Sequence, residues 1–327
     1  MKIIQLLPKI LIFSLLLAFV SCKKDRNSPV NNDNFYRLNA FETGVNPDMR
    51  QVRILFQVTD YDRNGVPGLT ESDFIVTENG GRIDSEANLK IDPDSIPFAL
   101  KTVLLLDVSS SVTDFVPQIK AATKSLVNQK LPNQEIAIYT FAAQPELVLD
   151  FTTDQTALIN AIDALPEDGL VNSTNLYGGI IAVANLWEDK YSIDEIEDGS
   201  LIVFTDGRHN ATQALTLSDA KSAISGKKVY IAALSSPDLD EASLKQLASE
   251  GDHYFLADNI AALENTFLNI QTEITNLSKS IYYMFYQSPI SDPTPFENEL
   301  KVEVKNNKNP ESDRLILEEF NSAGFGG

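Results

Sequence analysis

Continuous apolar runs alternate with helical patterns along the middle of the chain. Residues 99–108 form such a run, with the acid Asp107 close to its end, which is typical of a strand buried on both faces of a parallel sheet. Similar runs lie at residues 135–141, 201–205, 228–234 and, shorter, 253–256. Residues 145–151 alternate between apolar and polar side chains, which favours an antiparallel edge strand.

Between these runs, apolar residues recur at the spacing of one helix face. They are Phe115, Ile119, Ala122 and Leu126; Leu158, Ile162 and Leu165; Ile180, Ala184 and Trp187; Leu244, Leu247 and Ala248; and Leu263, Phe267, Ile270 and Ile274. The alternation predicts a three-layer α/β, Rossmann-like fold with a mostly parallel central sheet. Ligands of such sheets bind beyond the carboxyl ends of the strands, which directs attention to the residues after Val108 and Thr205.

The segments on either side of this region have a β-rich pattern. Strands are predicted around residues 52–58 before it, and at residues 281–287 and 300–304 after it. Neither flank has enough strands to bury a sheet face by itself. We therefore expect the two flanks to pair into one small β-sandwich, with two unrelated β-extensions as the alternative. The glycine-rich end, residues 324–327, is expected to fray.

The N-terminal 22 residues have the pattern of a targeting segment. Lys2 and Lys9 accompany an apolar stretch at residues 10–20, which has the length of a signal-peptide core and is short for a transmembrane helix. Cys22, the single cysteine, follows directly behind the small Ser21. This position resembles the lipobox of bacterial lipoproteins, which implies a diacylglycerol on Cys22; an ordinary cleaved signal peptide is the alternative.

Five parts are expected along the chain. They are a lipoprotein signal peptide with its lipidated cysteine at 1–22, a polar flexible tether at 23–34, a β-rich segment at 35–98, the α/β domain at 99–278, and a β-rich segment at 279–327 that pairs with 35–98.

Composition excludes several classes of function. The net charge of −20 repels nucleic acid phosphates, so no nucleic-acid partner is expected. One cysteine forms neither an intramolecular disulfide nor a cysteine-based zinc site, and two histidines argue against histidine-centred catalysis. The apolar fraction of 43% is that of an ordinary globular protein.

Three polar segments are predicted to meet at one edge of the sheet. Asp107, Ser109 and Ser111 follow the first apolar run, Asp206 follows the run that ends at Thr205, and Thr174 stands where a helical segment opens. Carboxylates and hydroxyls are hard oxygen ligands of the kind that Mg²⁺ takes. An acid at the end of a buried strand also requires a compensating cation or backbone N–H groups. These residues therefore predict a cation site.

The pattern Asp107-x-Ser109-x-Ser111, with Thr174 and the Thr-Asp206-Gly turn, resembles the metal-ion-dependent adhesion site (MIDAS) of von Willebrand factor A (vWA) domains. The resemblance covers residues 99 to 278. It implies that the two serines and the threonine coordinate the ion directly, while the two aspartates act mainly through water. The implied ion is Mg²⁺, with Mn²⁺ or Ca²⁺ as alternatives, and its open coordination position would accept an acidic side chain of a partner protein.

The expected function is divalent-cation-dependent protein binding, in adhesion or assembly, by a lipid-anchored extracytoplasmic protein of the cell envelope. The outer membrane or cell surface is favoured over the inner membrane, and contact with the membrane is through the lipid only. The partner is a protein that the sequence does not specify. No catalytic residue is assigned, because Walker, GxSxG and HExxH motifs are absent from the sequence. The alternatives are a magnesium-assisted hydrolase, with His209 as its one candidate base, and a structural envelope protein with a vestigial site.

Overall fold

The computed structural model describes residues 34–83, 87–92, 95–167, 171–211, 214–249, 253–291 and 296–326. The expected signal peptide, Cys22 as the expected lipidation site, and all of the expected tether except Asn34 lie outside the described residues. Among the described residues, no helix has both the length and the apolar composition that a membrane span requires.

The strands, in chain order, are β1 Arg37–Asn46, β2 Gln51–Thr59, β3 Phe74–Glu78, β4 Gly81–Ile83, β5 Lys90–Ile91, β6 Phe98–Asp107, β7 Gln134–Phe141, β8 Pro145–Thr152, β9 Lys190–Tyr191, β10 Ile196–Thr205, β11 Lys228–Leu234, β12 Tyr254–Ala257, β13 Ile281–Gln287, β14 Glu297–Val304 and β15 Leu315–Asn321. The α-helices are α1 Val116–Asn128, α2 Gln155–Asp163, α3 Leu176–Val183, α4 Leu217–Ala223, α5 Glu241–Leu247 and α6 Leu263–Ser278.

A central sheet carries the middle of the chain. Its strand order is β12-β11-β10-β6-β7-β8, in which β12 to β7 run parallel and β8 is an antiparallel edge strand, while the short β9 pairs with the start of β10. The helices α1, α2 and α6 cover one face, and α3, α4 and α5 cover the other. Successive side chains of β6 point to opposite faces of the sheet: Leu104 packs against the layer of α1, α2 and α6, and Leu105 packs against the layer of α3, α4 and α5. The predicted α/β fold with a mostly parallel sheet is confirmed.

Helix α4 was not predicted, and its packing explains why. Only Ala220 of its seven residues is buried, so the sequence shows no apolar face at helical spacing. The helix begins instead with a capping box, in which the Thr216 side chain accepts from the Asp219 backbone and the Asp219 carboxylate accepts from Thr216. Local hydrogen bonds, rather than a broad apolar face, therefore define this element.

Two further sheets combine strands from both flanks. One has the order β1-β2-β13-β5 and the other β15-β14-β3-β4, so each sheet contains strands that precede and strands that follow the α/β region. Their inner faces share one apolar core, in which Phe56 lies edge-on to Phe74 with ring centroids 5.5 Å apart. The flanks therefore form the small β-sandwich expected from their strand patterns.

The sandwich packs against the strand ends of the α/β region opposite the candidate site. Leu55 and Tyr283 of the sandwich share a small apolar cluster with Ile196, the first residue of β10. The amide side chain of Gln57 donates to the carbonyl of Leu277 at the end of α6, at 3.3 Å. The inserted α/β region is thus held by side-chain contacts in addition to its two chain connections.

The C-terminal tail differs from expectation. Phe325 is fully buried in the sandwich core, with its ring centroid 6.3 Å from that of Phe320. The flanking Gly324 and Gly326 both have left-handed φ values, of 84° and 76°, which glycine adopts without steric cost. The predicted fraying is wrong for residues 324–326, because one aromatic side chain fills a place in the core.

Candidate metal centre

Asp107 is the last residue of β6 and lies beneath the surface at the carboxyl edge of the sheet. Its side chain is fully buried. One carboxylate oxygen accepts from the backbone N–H of Ser109 at 2.9 Å, and the other accepts from the hydroxyl of Thr205 at 2.7 Å. Burial raises the pKa of Asp107 to about 6, and the hydrogen bonds from Ser109 and Thr205 only partly offset this effect.

Ser109 and Ser111 stand at the start of the 3₁₀ turn Ser110–Phe115, which leads into α1. Their hydroxyl oxygens are 3.1 Å apart, and the Ser111 hydroxyl donates to a carboxylate oxygen of Asp206 at 2.8 Å. Asp206 follows the last residue of β10, the strand adjacent to β6. Parallel neighbouring strands therefore bring residues distant in sequence into hydrogen-bonding contact.

Asp206 is also largely buried, with 4% of its surface exposed. Burial raises its pKa, the hydrogen bond from Ser111 opposes this, and the nearby charge of Asp238 raises it further. Among the ion pairs of the described residues, none involves Asp107 or Asp206. Within the described part of the chain, no ion pair thus neutralises these two buried acids, which lie close together, and this arrangement disfavours both being charged.

Thr174 belongs to a segment without regular secondary structure that precedes α3. This segment is joined to the serine loop, because the backbone N–H of Ser110 donates to the carbonyl of Val171 at 2.9 Å. Asn175 then caps α3 by accepting from the N–H of Gly178 at 3.1 Å. These contacts hold the threonine segment beside the serine loop.

A cavity of about 390 Å³ lies where these three loops meet, and residues 235–238, after β11, complete its lining. Ser109, Ser111, Thr174 and Asp206 all line it, and Asp107 lies behind Ser109, out of contact with solvent. Sequence reasoning missed Asp238 and Asn210, which also line the cavity. Asp238 could have been found, because it lies four residues beyond β11 at the same edge of the sheet.

His209 does not lie among the residues that line this cavity. Its ring stacks on that of Tyr177, with centroids 4.2 Å apart and an angle of 13° between the planes. Its Nδ1 accepts weakly from the backbone N–H of Tyr177, at 3.4 Å. Burial lowers the pKa of His209, which favours the neutral ring.

The donor set fits a hard divalent cation. Carboxylate and hydroxyl oxygens are the ligands that such ions prefer, and a cation would compensate the charge of Asp107 and Asp206. Within the described residues, no group of three or more His, Cys, Asp or Glu side chains could hold a metal ion. An ion at this cavity would therefore depend on hydroxyl groups, which suits Mg²⁺, Mn²⁺ or Ca²⁺ better than ions that prefer thiolate ligands.

Comparison with solved structures finds similar chains at low sequence identity. The vWF domain of the type V pili tip protein Mfa5 from Porphyromonas gingivalis is 17% identical with a TM-score of 0.45, over 55% of this chain and 96% of that one. BatB from Bacteroides thetaiotaomicron is 18% identical with a TM-score of 0.46, over 56% of this chain and all of that one. Proximal thread matrix protein 1 from the mussel byssus, with a zinc-occupied MIDAS motif, is 17% identical with a TM-score of 0.45, over 60% of this chain and 49% of that one.

Comparison with protein families gives the assignment. No curated protein matches the chain in sequence. The family model described as the von Willebrand factor type A domain matches residues 102–269, which begin in β6 and end in α6 and make up just over half of the chain. These residues contain each loop that contributes to the cavity. The chain belongs to the von Willebrand factor type A domain family.

Proposed function

We propose that this chain is a lipid-anchored, extracytoplasmic protein that binds a partner protein through a divalent cation held at its vWA domain. Domains of this family commonly mediate protein–protein interaction. The observation that carries the proposal is the meeting of three loops at one cavity, where the acids Asp107 and Asp206 have no cationic side-chain partner among the described ion pairs.

The hydroxyls of Ser109, Ser111 and Thr174 would contact the ion directly, and Asp107 and Asp206 would act mainly through water. Mg²⁺ is the proposed ion, with Mn²⁺ or Ca²⁺ as alternatives. Neutral hydroxyl ligands leave the ion strongly electrophilic, so when bound it supplies a position for an acidic side chain of the partner. The chain's own contribution is to hold the oxygens in place and keep the acids out of bulk water.

We propose that the site binds and does not catalyse. Two observations support this view. His209, the one candidate base near the motif, packs on Tyr177 and is not among the described residues that line the cavity. The Ser111 hydroxyl donates to the carboxylate of Asp206, and Ser111 has no histidine partner among its described hydrogen bonds.

Lipid attachment at Cys22 would place the protein in the cell envelope, with the outer membrane or cell surface favoured. In the native host, Cys22→Ser should move the protein from the membrane fraction to the soluble fraction. Retention in the membrane fraction would contradict the lipid anchor and leave the cation site unaffected.

The direct test is calorimetric titration of the metal-free protein with Mg²⁺ and with Mn²⁺. Ser111→Ala and Asp206→Asn should weaken binding at least tenfold, in line with losing a ligand or a group that orients one. Ser110→Ala is the matched control, because this neighbouring serine does not line the cavity. Absence of binding by the wild-type protein, or equal binding by all variants, would overturn the proposal.

A second test addresses the partner. Wild-type protein and Ser111→Ala are used to capture proteins from an envelope extract, in Mg²⁺ and again in EDTA. We expect partners retained by the wild type in Mg²⁺, released by EDTA and absent with the variant. Partners that EDTA leaves bound would show that capture does not depend on the cation.

A further inference from the structure

Asn210 joins the threonine segment to the loop that carries Asp206. The backbone N–H of Thr174 donates to the side-chain oxygen of Asn210 at 2.6 Å. The backbone N–H of Asn210 donates to the carbonyl of Thr174 at 3.0 Å. Both backbone groups of Thr174 are therefore bonded to the same residue, which lies only four positions after Asp206 in the chain.

These two hydrogen bonds restrain the backbone of Thr174 itself. Residues 171–175 form no helix or strand, so the ladders that hold a regular element are not available there. Ser173 and Asn175, on either side, donate to Val171 and Ala142 and leave the peptide groups of Thr174 to Asn210. Because backbone groups in an irregular loop need such partners, the orientation of Thr174 depends on Asn210.

We propose that Asn210 is a positioning residue that holds the Thr174 hydroxyl towards the cation and keeps it in register with Asp206. The inference rests on the proposed cation site and deepens it. Asn210 would not touch the ion and would act through Thr174. Residues that orient metal ligands through hydrogen bonds commonly change metal affinity 10–100-fold when they are replaced.

The experiment compares Asn210→Ala with wild type by calorimetric titration with Mn²⁺. We expect affinity to fall at least tenfold. The metal-free protein should remain folded with a lowered melting temperature, because the N–H of the buried Thr174 loses its acceptor. Asn133→Ala is the matched control: Asn133 is exposed, as Asn210 is, and donates from its side chain to a backbone carbonyl, that of Phe98, at the opposite edge of the sheet. The control should leave Mn²⁺ affinity unchanged.

A second readout requires no metal. The amide of Thr174 should exchange slowly in the wild type and faster in Asn210→Ala, as NMR hydrogen exchange would show. Asn210→Asp keeps an oxygen that accepts from this amide, so it should restore slow exchange of the Thr174 amide. The exchange rate is compared without metal, because the added carboxylate would itself attract a cation. This rescue separates positioning from general loosening of the loop, which a conservative replacement would not repair.

The outcomes are distinguishable. If the wild type binds no Mn²⁺, the proposed function fails and this inference fails with it. If the wild type binds and Asn210→Ala binds equally well, only the inference is overturned. A loss of affinity without faster exchange of the Thr174 amide would also overturn it, since Asn210 would then act by another route.

Discussion

The hydroxyl of Thr205 donates a 2.7 Å hydrogen bond to the buried carboxylate of Asp107, from the end of β10 to the end of β6. The same oxygen accepts from the backbone N–H of Gly207 at 3.2 Å. Thr205 therefore supports an acid at the base of the cavity and also fixes the turn that carries Asp206. Threonine is common in strands, so the sequence alone does not indicate that the hydroxyl of Thr205 makes these hydrogen bonds.

Replacing Thr205 by valine should destabilise the protein by about 1–3 kcal/mol, because the shape is kept while a buried carboxylate loses a hydrogen-bond donor. Urea unfolding of the metal-free protein measures this change. Thr102→Val is a comparison within the same sheet, since its buried hydroxyl bonds only neutral groups, Gln134 and Ser200. We expect the smaller effect there, and an equal or larger effect of Thr102→Val would contradict this role of Thr205.

The raised pKa of Asp107 predicts how stability varies with pH in the metal-free protein. Its folded pKa is about 6 and its ordinary value is 3.8. Between these values the folded state holds a proton that the unfolded state has lost, so this group's contribution to stability falls as pH rises. The full difference is about 3 kcal/mol. Asp107→Asn removes this titration, so in EDTA wild type should lose stability relative to the variant from pH 4 to pH 6.5.

Adding Mg²⁺ should reverse that trend, because the ion favours the ionised carboxylate. Affinity should rise by up to about tenfold per pH unit below pH 6 and level off above it, with a proton released on binding. Calorimetry at pH 5 in two buffers of different ionisation enthalpy detects that proton. If affinity is the same at pH 5 and pH 7.5, Asp107 does not titrate in the way its burial indicates.

Elements that bury many apolar residues could be predicted from the sequence. Elements that depend on a few individual contacts could not. The carboxyl-terminal halves of β6 and β10 are apolar and buried on both faces, and both runs were predicted. The polar first half of β10, residues 196–200, was missed, so the strand begins five residues before the predicted run. Helix α4 buries one alanine and gave no such signal. Each flank has too few strands to form a sheet by itself, which predicted that the two flanks combine into a sandwich. The order of the strands could not be predicted, because the pairing of β13 with β2 joins residues more than 220 positions apart.

The candidate site divides in a similar way. Asp107, Asp206 and their serine and threonine neighbours follow strands or open a helix, so the strand-end rule placed their loops at one edge of the sheet. The same rule could have included Asp238. Asn210 had no signal, because an asparagine that bonds a distant backbone resembles any other loop asparagine until the two loops are seen together.

Burial of Phe325 predicts that the C-terminal tail stabilises the sandwich. Phe325→Ala should lower the free energy of unfolding by about 3–5 kcal/mol, since a fully buried aromatic ring leaves a cavity. Leu317→Ala is the control, because Leu317 lies on β15 with 58% of its surface exposed and should change stability by under about 0.5 kcal/mol. Equal effects of the two changes in a denaturant titration would show that the tail does not fill the core.

Gly199 in β10 allows the single tryptophan to lie on the strand. A Cβ at this position would come within 1.9 Å of Cδ1 and Nε1 of Trp187, so Gly199→Ala requires the indole to move. Overpacking of this kind costs about 1–3 kcal/mol, whereas Gly207→Ala, where a Cβ would meet nothing within 4 Å, should leave stability nearly unchanged. Displacement of the indole should also shift the tryptophan fluorescence of the folded Gly199→Ala protein. If stability and emission both matched the wild type, the close approach of Trp187 to β10 would be wrong, and with it the packing of the segment after α3 against the sheet.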